Sequence, residues 1–255
     1  MLTMQTRMEL MSWQDFERSV RQNKVVILPV GALEQHGPHL PLGTDTMVVT
    51  EIASRAAKRT KSILAPSVTY GFKPQPGSSG GNWFSGTLSL DGSTLTYLVR
   101  DIVRELFRHR VRRILILDGH YENSLFVNEG VDLALREIQT NKAKIVIARW
   151  YELVPESFFV KLFGKDFHGM ALEHASKVET SLIMAINQSS VQKDRMRNDP
   201  PKRRENYVVF PEDRSFIPKL GSLTTVFPSS AQRGEQVLEY ASREVVSIIK
   251  KEFHR

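Results

Sequence analysis

VVILPVGALEQHGPHLPLGTD, residues Val25–Asp45, begins as an apolar run and ends as a polar loop. Val25–Val30 is short, continuous and rich in branched side chains, the pattern of a buried strand. Gly31 breaks the run, and Glu34, His36 and Asp45 follow. In extended backbone, residues two apart share one side, so Glu34 and His36 can face a single point. A carboxylate and an imidazole together suit zinc, manganese and other first-row ions.

A second copy of this arrangement occurs in mirror order. Ile114–Glu122 reads ILILDGHYE: an apolar run, a breaking glycine at Gly119, then His120 and Glu122 two apart. Two such clips with Asp45 between them in sequence can form a two-metal site, whose ions stand roughly 3.5–4 Å apart. Glu34, Asp45 and Glu122 supply three negative charges, and one hydroxide would complete the neutralisation of two divalent ions. The residues alone also permit two polar strand-end loops with hydrogen-bonded histidines.

Outward from these clips, strands and helices alternate. Ser12–Gln22 reads as a helix with Ser12 as N-cap, and Thr46–Arg59 as a second, with Val48, Ile52 and Ala56 on one face. Ser62–Val68 reads as a strand, Ser93–His109 as a helix and Arg112–Leu117 as the strand of the second clip. Ser124–Thr140 reads as a helix, Lys144–Ala148 as a strand and Ser229–Phe253 as a closing helix. Helix-length spacers between strands imply βαβ units and a parallel sheet. Sites on such sheets lie at the carboxyl ends of strands, where both clips fall. Three stretches are less regular. Tyr70–Gly86 is a long Gly-rich loop holding Ser78, either functional or a surface turn, and it lacks the ending of a phosphate loop. Tyr151–Gly169 is aromatic-rich and reads as an irregular lid, and Asn198–Lys219 as a surface excursion. His174 is either a general acid or base, or an exposed histidine.

A single domain is expected across the 255 residues. Hydrophobic content of 41% and charged content of 25% are those of a globular protein. No apolar run approaches 18 residues and no secretory signal opens the chain, so a membrane span is not expected. With no cysteine, ligands to any metal must be oxygen or nitrogen, and a cytoplasmic home is the default. The net charge of +7 gathers at Arg108, Arg110, Arg112, Arg113 and at Lys202, Arg203, Arg204. Without interleaved aromatics or a nucleic-acid motif these read as solvated cations, the first group at the end of an amphipathic helix. No nucleic-acid partner is expected.

Leu28–Asp45 (LPVGALEQHGPHLPLGTD), Phe84–Thr96 (FSGTLSLDGSTLT), Asp118–Asn123 (DGHYEN) and His174–Ser181 (HASKVETS) together resemble the creatininase family of metal-dependent amidohydrolases. The run Arg104–Glu137 extends the resemblance, which covers nearly the whole chain. It implies a three-layer α/β/α sandwich with a mostly parallel sheet, and a homohexamer. It implies two divalent ions, zinc or manganese or both, one held by Glu34, Asp45 and His120 and the other by His36, Asp45 and Glu122. It further implies substrate contacts at Ser78, Tyr121 and His174, with His174 and Glu122 moving protons. The reaction implied is the opening of a small cyclic amide by a metal-bridging hydroxide, creatinine with water giving creatine, reversibly. The sequence departs from the family pattern at a closing loop, where Met170 and Ala171 replace a tryptophan and an acidic residue. Tyr151, beside Trp150, takes the register of another tryptophan. Another small cyclic amide, a formamide or a keto-ring is the alternative substrate.

Overall fold

A computed structural model describes residues 5–75, 81–139, 142–198, 211 and 217–253. Helix α1 (Trp13–Arg21) opens the chain, with Ser12 Oγ accepting from Asp15 N as the sequence expects. Strand β1 (Val26–Val30) follows, then α2 (Thr44–Thr60), β2 (Ile63–Leu64), α3 (Gly92–Arg108), β3 (Arg113–Asp118), α4 (Ser124–Ile138) and β4 (Lys144–Arg149). Four further helices complete the described chain: α5 (Trp150–Leu153), α6 (Glu156–Phe163), α7 (Lys177–Asn187) and α8 (Ala231–Phe253). The strands form one parallel sheet in the order β2-β1-β3-β4.

Alternation along the two central strands divides the core into two faces. Val26, Leu28 and Val30 of β1 and Ile114 and Ile116 of β3 pack against apolar residues of α3 and α4. Ile27 of β1 and Leu115 and Leu117 of β3 turn to the other side, against α2, α7 and α8. Both faces are therefore covered, and the molecule is an α/β/α sandwich. Continuous apolar runs are what such strands require, since neither face meets water.

Differences from the sequence reading have local causes. β2 is only two residues long; beyond it Ala65 N still bonds Ile27 O, and Val68 rejoins β1 through a single bridge to Val30. Tyr151–Gly169, expected as an irregular lid, instead contains α5 and α6. Phe159 and Phe163, four apart on α6, and Phe167 beyond it are buried in the core from this segment. Gly164, at φ 86°, ends α6. The cations Arg108 and Arg113 meet Glu105 Oε2 and Asn23 O, and Arg112 bonds Phe107 O. Ser78, Lys202, Arg203 and Arg204 lie outside the described residues.

Two glycines position α2 on the sheet. A Cβ on Gly31 would stand 2.5 Å from Thr46 Oγ1 and 2.7 Å from Thr46 Cα, and one on Gly119 would stand 2.8 Å from Val49 Cβ. The first turns of α2 thus press directly on the ends of β1 and β3, which bond each other there through Gly119 N and Val30 O. Gly31→Ala would force α2 outward. It is expected to cost about 1–3 kcal/mol in stability and to lower metal content, read by chemical unfolding and elemental analysis; unchanged values for both would refute this account of how α2 is seated.

Candidate metal centre

Asp45 lies in the first turn of α2 rather than in the preceding loop. The helix N-terminus favours a carboxylate there, and the close seating of α2 brings it over the ends of both site strands. Its Oδ1 is 3.2 Å from His36 Nε2 and its Oδ2 is 2.9 Å from His120 Nδ1. Glu34 Oε2 lies 3.3 Å from the same His120 nitrogen. The two clips, one after β1 and one after β3, therefore converge on one carboxylate.

Two groups of ligand atoms meet around Asp45. Glu34, Asp45 and His120 form one; His36, Asp45 and Glu179 form the other, with Glu179 Oε2 3.7 Å from His36 Nε2. Glu34, His36 and His174 also come together. Glu122, expected in the second set, lies instead beside the opposite imidazole nitrogen, 3.3 Å from His120 Nε2. The carboxylate that closes on His36 and Asp45 comes from α7. Its string, Val178-Glu179-Thr180, is visible in the sequence, but no local pattern ties it to residues so far upstream.

The imidazoles are held as metal ligands need to be. His36 Nδ1 lies 3.0 Å from Glu34 O, and His120 Nε2 lies 3.0 Å from Phe72 O. An N–H donated to each carbonyl fixes the tautomer that leaves His36 Nε2 and His120 Nδ1 toward the carboxylates, the outer support usual for ligating histidines. The donor set, oxygen and nitrogen only and almost wholly buried, fits divalent first-row ions.

Charge is concentrated here. Burial disfavours the His36 cation, but Asp45 and Glu179 more than offset this and push its pKa up to about 10. His120 likewise, against burial, is raised well above the usual imidazole value by Glu122, Asp45 and Glu34. Burial raises Glu34 and Glu179 despite the neighbouring imidazoles. Asp45 is also desolvated, yet His36 and His120 hold it below the usual carboxylate range. His174 moves the other way: burial, then the His36 charge, keep it well below an ordinary histidine.

His174 is close to buried, its side chain 12% exposed, with Nε2 3.6 Å from Glu34 Oε1. The exposed-histidine alternative does not hold. Nε2 lies 2.9 Å from Gln35 O and 3.0 Å from the Gln35 side-chain amide nitrogen, so either tautomer finds a partner. The same amide nitrogen donates to Gly221 O at 2.8 Å, tying His174 to the following loop. Over the centre lies a cavity lined by Glu34, His120, Tyr121, Glu122, Tyr151, Met170, Ala171 and His174, and also by Trp150 and Glu173. Tyr121 and Tyr151 stand with ring centroids 5.8 Å apart. Met170 is half-buried against the core and Ala171 is exposed.

The family model described as creatininase, creatinine amidohydrolase, matches residues 9–249. The chain belongs to the creatininase family. It is 40% identical over 248 residues to creatinine amidohydrolase of Pseudomonas putida, covering 95% of each chain. A crystal structure of creatininase matches with a TM-score of 0.95 at 38% identity, covering 98% of both chains. Solved creatininases at the same identity include a manganese form and E122Q mutants, one complexed with creatine and one of a Zn-Zn type. In this creatininase-family chain Glu34, His36 and His120 of the two clips gather around Asp45, with Glu179 from α7.

Ligating histidines must be unprotonated, so metal uptake by the metal-free protein is expected to expel protons from His36 and His120. At neutral pH more than one proton per chain should be released, and apparent affinity should rise with pH toward about 10, where His36 loses its proton unaided. Calorimetry in buffers of different ionisation enthalpy measures both; pH-independent affinity would contradict the electrostatics described.

Proposed function

We propose that this chain is a binuclear metal-dependent hydrolase that opens a small cyclic amide, creatinine with water giving creatine, reversibly. The observation carrying this reading is the convergence of two three-residue ligand sets on Asp45 beneath a cavity walled by Tyr121, Tyr151 and His174. Glu34, Asp45 and His120 would hold one ion, and His36, Asp45 and Glu179 the other, zinc or manganese. Two such ions supply Lewis acidity, acidifying water toward a nucleophile and polarising a carbonyl.

The protein groups supply the rest. Tyr121 and Tyr151 offer aromatic surface to a flat ring. His174, kept neutral by burial and by the His36 charge, can accept a proton near the nucleophile and deliver it to the leaving ring nitrogen. The two Gln35 partners hold that imidazole in place through both protonation states. Glu122, on the cavity wall beside His120, is the second proton-carrying group. Ser78 is retained as a substrate contact by family resemblance, and Met170 and Ala171 as the rim of the closing loop.

A hydrolase acting on another cyclic amide, a formamide or a keto-ring is the second reading. It is favoured by Ala171, which presents no polar group at the cavity rim. We further propose one domain, a cytoplasmic setting and a homohexamer. The assembly is supported by family resemblance and by exposed Leu88, Tyr97 and Leu125, and sedimentation will report its size.

The deciding experiment is creatinine turnover, in both directions, by protein assayed for zinc and manganese. About two ions per chain and clear turnover are expected. Glu122→Gln and His174→Ala are each expected to keep metal and lose about 10²-fold or more in turnover. Failure to retain metal, or turnover unaltered by Glu122→Gln, would overturn the mechanism; metal without creatinine turnover would favour the second reading.

A further inference from the structure

Two acidic side chains on the cavity wall belong to neither ligand set, Glu122 beside His120 and Glu173 on the connection before α7. Glu173 lines the cavity and is 5% exposed. Its Oε2 accepts from Val178 N at 3.1 Å, in the first turn of α7, while its Oε1 is buried with no hydrogen-bond partner. The other wall carboxylates face imidazoles. Glu34, Asp45 and Glu122 lie within 3.3 Å of His120, and Glu179 lies 3.7 Å from His36. Lys177, the buried cation of the same turn, directs its ammonium to Asp166 O at 2.9 Å, and among the described residues it forms no ion pair with Glu173. A desolvated carboxylate with one unmatched oxygen costs free energy that a suitable donor would recover.

The reaction proposed above generates such a donor, and the inference rests on that reading. Water adds at the ring carbonyl, a C–O bond forms, the ring C–N bond breaks, and the freed nitrogen takes a proton. In the cyclic substrate the acyl group withdraws electrons from the amidine and keeps it weakly basic and neutral. Once the acyl group is released, the amidine becomes a strongly basic guanidine and takes up the proton of the new carboxyl group. Positive charge therefore develops on the part of the molecule remote from the metal-facing carbonyl.

We propose that Glu173 is the substrate-recognising carboxylate for this amidine, its Oε1 accepting an amidino N–H in a contact that strengthens as the ring opens. A charge-assisted bond of this kind is formed most fully in the transition state and product, and so acts on kcat as well as on binding. The competing role is structural: Oε2 also caps the first turn of α7. Glu173→Gln separates the two, because the glutamine keeps an acceptor for Val178 N and removes the charge.

The test uses metal-loaded wild-type and Glu173→Gln proteins, with metal content and unfolding midpoint compared first. Creatinine turnover is then measured, with creatine and N-acetylsarcosine as competing inhibitors; the latter keeps the carboxylate and carries an acetyl in place of the amidino group. Glu173→Gln is expected to keep metal and midpoint, to lower creatinine kcat by about 10–100-fold, and to weaken creatine about tenfold. The ratio of the N-acetylsarcosine to the creatine inhibition constant should fall correspondingly. Unchanged creatinine turnover, or an unchanged inhibitor ratio with weakened activity, overturns the assignment and leaves only the cap. If Glu173→Gln does not fold, the inhibitor ratio of Glu173→Asp is read in its place, with the same outcomes. Absence of creatinine turnover in the metal-loaded wild type would instead bring down the functional reading, and this inference with it.

Discussion

A single buried carboxylate, with one oxygen toward each of two imidazoles, is the constraint from which the rest of the site follows. Asp45 can take that place only if the first turn of α2 reaches the ends of two adjacent strands, and the missing side chains at Gly31 and Gly119 allow this. It also requires β1 and β3 to be neighbours, which the sheet order provides. In a parallel sheet the loops after adjacent strands emerge at the same edge, so clips separated by α2, β2 and α3 in sequence become contiguous. A dense set of ionisable groups is then shielded from water, and its mutual attraction offsets only part of the desolvation cost. Divalent ions would neutralise the set.

Much of this was legible in the chain. The alternation of strands and helices pointed to a parallel sheet, the family resemblance to three layers, and the apolar runs at β1 and β3, each ended by glycine and followed by a carboxylate and an imidazole two apart, to the strand ends where these groups gather. Helix α1, with its Ser12 cap, and the closing helix were equally visible, because capping and amphipathic spacing are local properties. What escaped depends on tertiary contact. Glu179 reaches His36 from α7, and nothing in the Val178-Glu179-Thr180 string points that far upstream. The aromatic segment after Trp150, interrupted by Pro155, Gly164 and Gly169, reads as irregular; the four-residue spacing of Phe159 and Phe163 is the better guide to α6. His174 was undecidable from its neighbours in sequence, since its burial comes from Gln35 and the loop at Gly221.

The proposed chemistry and the proposed recognition are drawn from different parts of the architecture. The proposed ligands come from strand ends and helix termini, which pack against the core. Met170, Ala171 and Glu173 come from the connection before α7, where a short 3₁₀ turn, Met170–Leu172, leads into the helix. Substitutions at this rim alter what the cavity admits while leaving Asp45 and its imidazoles in place.

Asp45 also sets an order of events during synthesis. One ligand set, Glu34, Asp45 and His120, is complete in the chain once β3 and its loop have been made. The other waits for Glu179, more than fifty residues later. The residues of the two proposed ion-binding sets are therefore synthesised in succession, the first set complete before the second.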